Sequence, residues 1–405
     1  MTVALDDIRA AAKRIADGVI RTPLVYSPTL SETLGAEIYL KLENLQKTGS
    51  FKIRGATNKL LLRRNEIAEG GVVAASAGNH AQGVALAARN AGLAATVVMP
   101  EWASISKQEA TRSYGGTVEL AGTSLNESLD RARELAEEGR TFIHPFDDPD
   151  IMAGQGTIGL EIVDEIPDLD VAIVPIGGGG LISGVASAVK ALRPDARIIG
   201  VQAAVCPSAA VSRREGRVRG VEAGTSIADG ITVKKPGERT FPIIQSLVDD
   251  VALVEEEQIA AAMLTLLERK KVLAEGSGAV PLAALQAGAV RLPEGAKAAL
   301  VVSGGNVDSP LVGRILRKGL LKNGRIMRVK LTIDDIPGSL SRLLRLVARR
   351  KANVLHIFHD RDVKDLPVNR TYVELELETR GADHVAEVRD ALEAAGYRMA
   401  LDCHP

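Results

Sequence analysis

The sequence predicts an α/β protein with two open, twisted, parallel-sheet subdomains and a smaller ferredoxin-like β-α-β-β-α-β domain at the C-terminus. Short apolar runs alternate with helical patterns through most of the chain, which is typical of parallel sheets covered by helices. The pattern changes near residues 319–326, and strands then outnumber helices. The 405 residues also exceed what one hydrophobic core usually serves, so we expect two or three domains.

Each predicted element follows from its local pattern. Short β-rich apolar runs predict buried strands at 71–75, 95–99, 117–120, 171–176, 198–202 and 298–303. Helical periodicity predicts helices at 83–91, 124–138 and 182–192. Beyond a predicted linker at 321–326, the pattern gives strands at 327–333, 353–360, 371–378 and 397–402 and helices at 338–350 and 383–394. This order is the split β-α-β arrangement, and we assign it to residues 327–405.

Composition excludes several classes of protein. The 50 basic and 51 acidic side chains give no bias toward nucleic acid or anionic lipid. Two distant cysteines, Cys206 and Cys403, fit neither a disulfide framework nor a metal cluster, so we expect a cytoplasmic protein without a metal centre. The N-terminus lacks a signal-peptide pattern. Residues 171–189 are uncharged, but Pro175 and five glycines make them a poor membrane helix.

The run V-A-I-V-P-I-G-G-G-G-L-I-S-G predicts a phosphate site. Gly177 to Gly180 follow a strand and open a helix, so backbone amides and the helix dipole can hold an anion. A flexible turn is the alternative interpretation. A dinucleotide site expects a third glycine and a later acidic residue, but Ile182 and Gln202 occupy those places. A cofactor with a single phosphate is therefore favoured.

A second strand-to-helix turn, S-A-G-N-H-A-Q-G, predicts a site for a substrate carboxylate. The Ser76 hydroxyl and the amides after Gly78 can hold an anion, and Asn79 offers a neutral amide. Simple helix capping by Ser76 or Asn79 remains an alternative. His80 alone favours a packing or capping role over that of a catalytic base.

A third turn, V-V-S-G-G-N, follows the predicted strand 298–303. Ser303 can donate a hydrogen bond to a neutral ring nitrogen, which an acidic side chain would instead protonate. An ordinary turn serine is an equally good interpretation of this segment alone.

The stretch T-G-S-F-K-I-R-G-A-T-N-K-L predicts a reactive lysine. A helix capped by Ser50 would begin near Phe51 and carry Lys52 and Arg54 in its first turn, where the helix dipole disfavours cations. The dipole, Arg54 and burial would together lower the Lys52 pKa toward about 7–8, a bias of roughly 4 kcal/mol against the ammonium form. Imine formation needs such a neutral amine. A solvated surface lysine is the alternative.

These motifs, together with A-G-Q-G-T-I-G-L-E at 153–161, resemble pyridoxal-phosphate enzymes of the tryptophan-synthase-β type, called fold type II. Among these the chain most resembles threonine dehydratases (threonine ammonia-lyases), with serine racemases next. The resemblance covers 1–320 and implies a smaller mobile subdomain at about 50–150. Residues 327–405, with D-D-I-P-G-S-L, resemble an ACT regulatory domain.

The resemblance implies a role for each motif residue. Lys52 would form the imine with pyridoxal phosphate, and Asn79 would bond the cofactor's phenolic oxygen. The other implied cofactor contacts are Phe51 on the ring, Gly177, Gly178, Gly179, Gly180 and Leu181 at the phosphate, Ser303 at the ring nitrogen, and Gly230 along the pocket. Ser76, Gly78, Asn79 and His80 would surround the substrate carboxylate, and Lys52, Ser76 and Asn79 are the expected catalytic residues.

The implied reaction is β-elimination of L-threonine to 2-oxobutanoate and ammonia, and of L-serine to pyruvate. A serine racemase or a hydroxyaspartate dehydratase is the alternative enzyme, and an amino-acid-sensing protein with a silent catalytic fold is the alternative class. Racemases carry a serine where this chain has Ala77, and the acidic metal ligand of eukaryotic racemases aligns with Gln202. Elimination without a metal is therefore the expectation.

The resemblance also implies regulation and assembly. An amino acid, with isoleucine or valine the first to test, would bind at Asp335, Pro337 and Gly338, in an enzyme of amino-acid metabolism such as isoleucine biosynthesis. A homodimer or homotetramer is expected, and a purely oligomerising C-terminal domain is the alternative to a regulatory one.

Overall fold

A computed structural model describes residues 3–364 and 366–400 of the chain. The chain forms two compact units, residues 1–307 and 308–405. The larger unit contains two separate sheets and the smaller unit contains one.

The helices and strands are numbered in chain order. The α-helices are α1 (Leu5–Ile15), α2 (Pro28–Leu34), α3 (Lys52–Leu62), α4 (Asn79–Ala91), α5 (Ile105–Ser113), α6 (Leu125–Glu137), α7 (Pro149–Glu165), α8 (Gly180–Leu192), α9 (Ser208–Glu215), α10 (Thr240–Leu247), α11 (Glu256–Lys270), α12 (Gly276–Gln286), α13 (Ser309–Lys322), α14 (Ser339–Arg349) and α15 (Ala382–Ala394). The strands are β1 (Leu24–Tyr26), β2 (Glu37–Leu42), β3 (Val72–Ala75), β4 (Ala95–Met99), β5 (Thr117–Leu120), β6 (Thr141–Phe142), β7 (Val171–Pro175), β8 (Arg197–Ala203), β9 (Asp250–Val254), β10 (Lys297–Val302), β11 (Ile326–Asp334), β12 (Asn353–Asp360), β13 (Arg370–Glu378) and β14 (Arg398–Ala400).

The six-stranded sheet of the larger unit has the order β1-β2-β10-β7-β8-β9. All its pairs are parallel except the antiparallel pair of β1 and β2. All five residues of β7 are buried, as expected for a strand covered by helices on both faces. Helices α7 and α8 pack against it through residues such as Ile158 and Val185. The predicted parallel architecture is confirmed.

The four-stranded sheet has the order β5-β4-β3-β6 and is wholly parallel. Helices α3 and α4 pack on Val72 and Ala74, whereas α6 packs on Val73 and Ala75. Alternate residues of β3 therefore face opposite layers of helix. This sheet lies within the range 50–150, where the smaller subdomain was predicted.

The smaller unit contains an antiparallel sheet of order β12-β13-β11-β14, with α14 and α15 contributing to its core. The predicted β-α-β-β-α-β order is present. The predicted linker at 321–326 needs correction, because α13 continues to Lys322 and the unit begins at residue 308. Buried Ile315 and an ion pair from Arg317 to Glu376, 2.8 Å long, hold α13 within this unit.

Two further features complete the description. Strand β14 covers 398–400, so residues 401–402 of the predicted last strand, and Cys403, lie outside the described residues. Among the described helices, none has the length and apolar character that crossing a bilayer would require.

Candidate active site

The three predicted turns meet at the carboxyl edge of the six-stranded sheet. Strand β10 lies between β2 and β7, so the loop after β10 is adjacent to the loop after β7. Ser50 forms a bridge with Gly304, and the Phe51 N–H donates to the Ser303 carbonyl oxygen at 3.1 Å. This pairing places Lys52 beside the Ser303 loop, where ligand sites of parallel sheets form.

Lys52 is the first residue of α3 and is half-buried. Its Nζ donates to the Pro145 carbonyl oxygen at 2.9 Å and lies 5.2 Å from the centroid of the Phe51 ring. Burial of the amine lowers the Lys52 pKa to about 8, and the negative charge of Glu275 opposes this shift. The direction matches the prediction, and the resulting amine loses its proton near neutral pH.

Arg54 does not have the predicted electrostatic role. Its guanidinium is fully buried and forms paired contacts with Glu43 at 2.8 Å and with Glu161 at 2.6 and 2.9 Å. Lys41 also contacts Glu161 at 2.6 Å. Burial alone would lower the Arg54 pKa, but the two carboxylates raise it. Because its charge is balanced locally, Arg54 anchors α3 and does not lower the Lys52 pKa.

Ser50 is not the helix cap either. Phe51 occupies the N-cap position in a helical backbone conformation and makes no capping bond with its side chain. The Ser50 hydroxyl is buried and has no hydrogen-bond partner among the described residues. The bridge to Gly304 holds the Ser50 backbone at the entrance to the site, which the sequence pattern of a cap did not reveal.

The glycine loop is closely packed. Gly179 has a φ of +100°, which favours glycine, and α8 begins at Gly180. A Cβ atom on Gly178 would overlap the Phe146 ring, and one on Gly180 would lie 2.9 Å from Phe146. Leu181, the next residue, is buried. The loop therefore cannot carry side chains, and its amides and the start of a 13-residue helix can face a phosphate.

Asp147 and Thr240 hold this loop and were missed by the sequence interpretation. The Thr240 hydroxyl donates to the Gly178 carbonyl oxygen at 2.7 Å. Asp147 accepts from the backbone amides of residues 238–240 at 2.9 to 3.1 Å. Its sequence signal, an aspartate in H-P-F-D-D, is common to many caps, so only the fold reveals its partners.

The predicted carboxylate loop lies at the start of α4. The Ser76 hydroxyl accepts from the Gly78 amide at 3.1 Å, and α4 begins at Asn79. The His80 ring lies away from this turn, with Nε2 2.9 Å from the Ile143 carbonyl oxygen. Burial and, next, the charge of Lys52 lower the His80 pKa to about 3. His80 is thus a neutral packing residue, which leaves its backbone amide for a carboxylate.

Asn79 belongs to a network that includes an unpredicted carboxylate. Its Nδ2 donates to Glu275 Oε1 at 2.7 Å, and its Oδ1 accepts from Asn306 Nδ2 at 2.8 Å. Glu275 is buried at the N-cap of α12. The available sequence signal was a single acidic residue within the small-residue run L-A-E-G-S-G-A.

Gly230 lies in a short turn at 229–231 beside the same carboxylate. A Cβ atom there would lie 2.8 Å from the Ser277 hydroxyl and 3.8 Å from Glu275 Oε1. The Ser277 hydroxyl is buried and unpartnered among the described residues. Asp229, on the same turn, contacts Lys107 of α5 at 3.2 Å.

Gln202 has a structural role in place of metal binding. Its Oε1 accepts from the amides of Ala209 and Ala210 at 2.9 and 3.1 Å, at the start of α9. Within residues 3–364 and 366–400, no group of three or more His, Cys, Asp or Glu side chains could hold a metal ion.

The residues fit pyridoxal phosphate. A half-buried lysine with a lowered pKa suits an aldehyde, a side-chain-free loop at a helix start suits one phosphate, and a buried serine suits a ring nitrogen. Residues 15–304 match the family model described as pyridoxal-phosphate dependent enzyme, and the chain belongs to this family.

Particular relatives narrow the class. A curated L-threonine ammonia-lyase of Thermotoga maritima is 50% identical over 401 residues, which cover 98% of this chain and 99% of the relative. A solved bacterial structure, the T.th. threonine deaminase, has a TM-score of 0.71 and 44% identity, covering 75% of this chain and 99% of its own. Maize serine racemase has a TM-score of 0.74 and 38% identity, covering 79% and 98%. The protein is a pyridoxal-phosphate-dependent lyase.

Proposed function

We propose that the protein is a threonine ammonia-lyase, which converts L-threonine into 2-oxobutanoate and ammonia and also accepts L-serine, giving pyruvate. The observation that carries this proposal is the 50% identity, over nearly the whole chain, to an L-threonine ammonia-lyase. The position of Lys52 among the glycine, serine and asparagine turns supports it.

Each group of side chains has a part in cofactor and substrate binding. Gly177 to Gly180 and Leu181 hold the cofactor phosphate, Phe51 packs on the ring, and Gly230 lines the pocket. Asn79 donates to the phenolic oxygen. Ser303 faces the ring nitrogen as a neutral donor, so it does not protonate that nitrogen. Ser76 and the amides from Gly78 to His80 hold the substrate carboxylate.

Lys52 carries the proton transfer. Pyridoxal phosphate, when bound, withdraws electrons from the amino-acid Cα and so acidifies the α-proton. Lys52 Nζ, with a pKa of about 8, is suited to take that proton and later return it. The β-hydroxyl leaves as water, and the released enamine hydrolyses to the 2-oxo acid and ammonia.

The alternative is a serine racemase or a hydroxyaspartate dehydratase, and the 38% identity to maize serine racemase is the observation that favours it. Racemisation needs a second acid or base on the opposite face of the substrate. Ala77 occupies the position where racemases have serine, and it packs against the apolar cluster of Ala81, Val97 and Met99. An alanine cannot transfer a proton, which supports elimination.

The test is a turnover assay combined with lysine mapping. Purified enzyme should absorb visible light, borohydride should fix the cofactor to Lys52, and L-threonine should yield 2-oxobutanoate. Lys52→Ala should lose the fixed cofactor and at least about a thousandfold in kcat, because no other base replaces the amine. Protein that binds no cofactor would refute the proposal, and appreciable D-serine formed from L-serine would favour the racemase.

We further propose that the C-terminal unit is an ACT regulatory domain that binds an amino acid, with isoleucine or valine first to test. Asp335, Pro337 and Gly338 form the turn before α14, where Gly338 has a φ of +86°. Arg361 contacts Asp335 at 3.0 Å, so a charged pair borders this turn. A cytoplasmic homodimer or homotetramer acting in isoleucine biosynthesis completes the proposal.

A further inference from the structure

Glu275 is the active-site side chain to which the proposed roles assign no task. Its residue is 6% exposed, and the carboxyl group lies at the start of α12 against Asn79. A buried carboxylate is unfavourable unless its oxygens are hydrogen-bonded and its charge is balanced. A buried carboxylate beside a catalytic amine is therefore a candidate for a functional role.

The hydrogen bonds around Asn79 fix the orientation of its amide. Asn306 Nδ2 donates to the Thr48 carbonyl oxygen at 2.8 Å and also to Asn79 Oδ1 at 2.8 Å. A backbone carbonyl only accepts, so Asn306 must present its NH2 group here, and Asn79 must present its oxygen. Asn79 Nδ2 then faces Glu275, with one N–H bound to the carboxylate and the other available to the cofactor.

The surroundings also fix the position of the carboxylate. A Cβ atom on Gly304 would lie only 2.5 Å from Glu275 Oε1 and 3.1 Å from Ser50 Cβ. The backbone amide of Asn306 donates to the same carboxyl group. Because the group is enclosed by the turn after β10, an aspartate at this position, shorter by one methylene, would withdraw from Asn79.

Charged groups from three neighbouring elements act on Glu275. Burial first, and then Asp229 from the 229–231 turn, raise the Glu275 pKa to about 7, whereas Lys107 from α5 acts in the opposite direction. The charge of Glu275 in turn raises the Lys52 pKa against the effect of burial. Ionised Glu275 therefore stabilises positive charge on the Lys52 nitrogen.

We propose that Glu275 is a positioning residue of the lyase reaction, which holds the Asn79 amide toward the cofactor and supplies the negative charge that faces the Lys52 nitrogen. This inference rests on the roles of Lys52 and Asn79 in the proposed function. The two parts are separable, since one depends on reach and the other on charge.

Three holoenzyme variants separate reach from charge. Glu275→Gln keeps an accepting oxygen and removes the charge, whereas Glu275→Asp keeps the charge and loses reach. Glu294→Gln, at an exposed position, is the matched control for the change in net charge. For each variant, the visible absorbance of the bound cofactor is titrated with pH, and kcat and KM for L-threonine are measured.

The expected results differ in kind. Glu275→Gln should lower the midpoint pH of the absorbance titration by about 1 unit, because positive charge at Lys52 loses its negative neighbour. Glu275→Asp should leave that midpoint unchanged and lower kcat about tenfold or more, because Asn79 is no longer held. Glu294→Gln should match the wild type in both measurements.

An unchanged midpoint in Glu275→Gln, or a wild-type kcat in Glu275→Asp, would overturn the proposal. If Glu275→Gln does not fold, Glu275→Asp decides alone, by the presence or absence of the loss in kcat. Failure of the proposed function is distinguishable, since the wild type itself would then lack the visible band or the turnover of L-threonine.

Discussion

Lys52 and Arg54 are two residues apart and have opposite electrostatic environments. Lys52 loses hydration and faces an incompletely balanced site, so its pKa falls to about 8. Arg54 is also buried, but Glu43 and Glu161 surround it. The sequence placed both cations in the first turn of a helix and could not show that carboxylates from β2 and α7 would pair with only one of them.

His80 gives a prediction of pH-dependent stability. Its pKa is about 3 in the folded protein and near 6.5 when unfolded, so between these values only the unfolded chain is protonated. The free energy of unfolding should therefore fall as pH drops below about 6.5, by at most about 1.4 kcal/mol per pH unit from this residue. His80→Gln keeps a donor for the Ile143 carbonyl without titrating and should lose less stability on acidification.

Urea unfolding at pH 7.5 and 5.5 checks this expectation. His359→Gln, at an exposed position of β12, is the control and should behave like the wild type. Equal acid sensitivity of the wild type and His80→Gln would contradict the burial of an uncharged imidazole.

At the scale of elements, the loop between β7 and α8 gives a prediction of cofactor affinity. In Gly178→Ala, the new methyl group would overlap the Phe146 ring, so either the ring or the loop must shift. We expect the affinity for pyridoxal phosphate to fall about tenfold or more, because the amides that face the phosphate move with the loop. Absorbance titration of the cofactor measures this loss.

The control is Gly313→Ala in α13, where a Cβ atom would meet nothing within 4 Å. Alanine is favoured over glycine inside a helix by about 1 kcal/mol, so this variant should keep its cofactor affinity and gain a little stability. Equal affinities in the two variants would argue against the close packing of the glycine loop.

Much of the secondary structure was predictable because the buried parallel strands are short apolar runs bounded by glycine. The runs at 95–99 and 117–120 coincide with β4 and β5. Helix α13 was missed because its glycines, Gly313 and Gly319, resemble those of a linker, whereas contacts with β13 keep it helical. Glu275 and Asp147 could not be found from sequence, since their partners lie far away along the chain.

At the scale of the whole molecule, the division at residue 308 predicts separable regulation. The family match ends at residue 304, just before this division. A chain truncated after Val307 should keep most of its turnover of L-threonine and lose any response to isoleucine or valine. Steady-state rates with and without each amino acid measure both properties.

Removal of the whole unit is preferable to a cut at residue 327, because α13 packs with β11 and β13 and would lose its partners. Full-length enzyme is the reference for the effector response. Unchanged inhibition in the truncated enzyme would exclude a regulatory role for the C-terminal unit, and absence of any response in the full-length enzyme would favour a purely oligomerising one.

The strand order of the large sheet also determines when this protein can fold during synthesis. Strand β2, close to the N-terminus, pairs with β10, which is the last strand of the larger unit to leave the ribosome. Until β10 appears, β2 lacks its parallel neighbour and Lys52 has no Ser303 turn beside it. Such distant pairing slows folding and leaves apolar strand edges exposed. The nascent chain therefore carries its reactive lysine through most of translation before it can form a complete cofactor site.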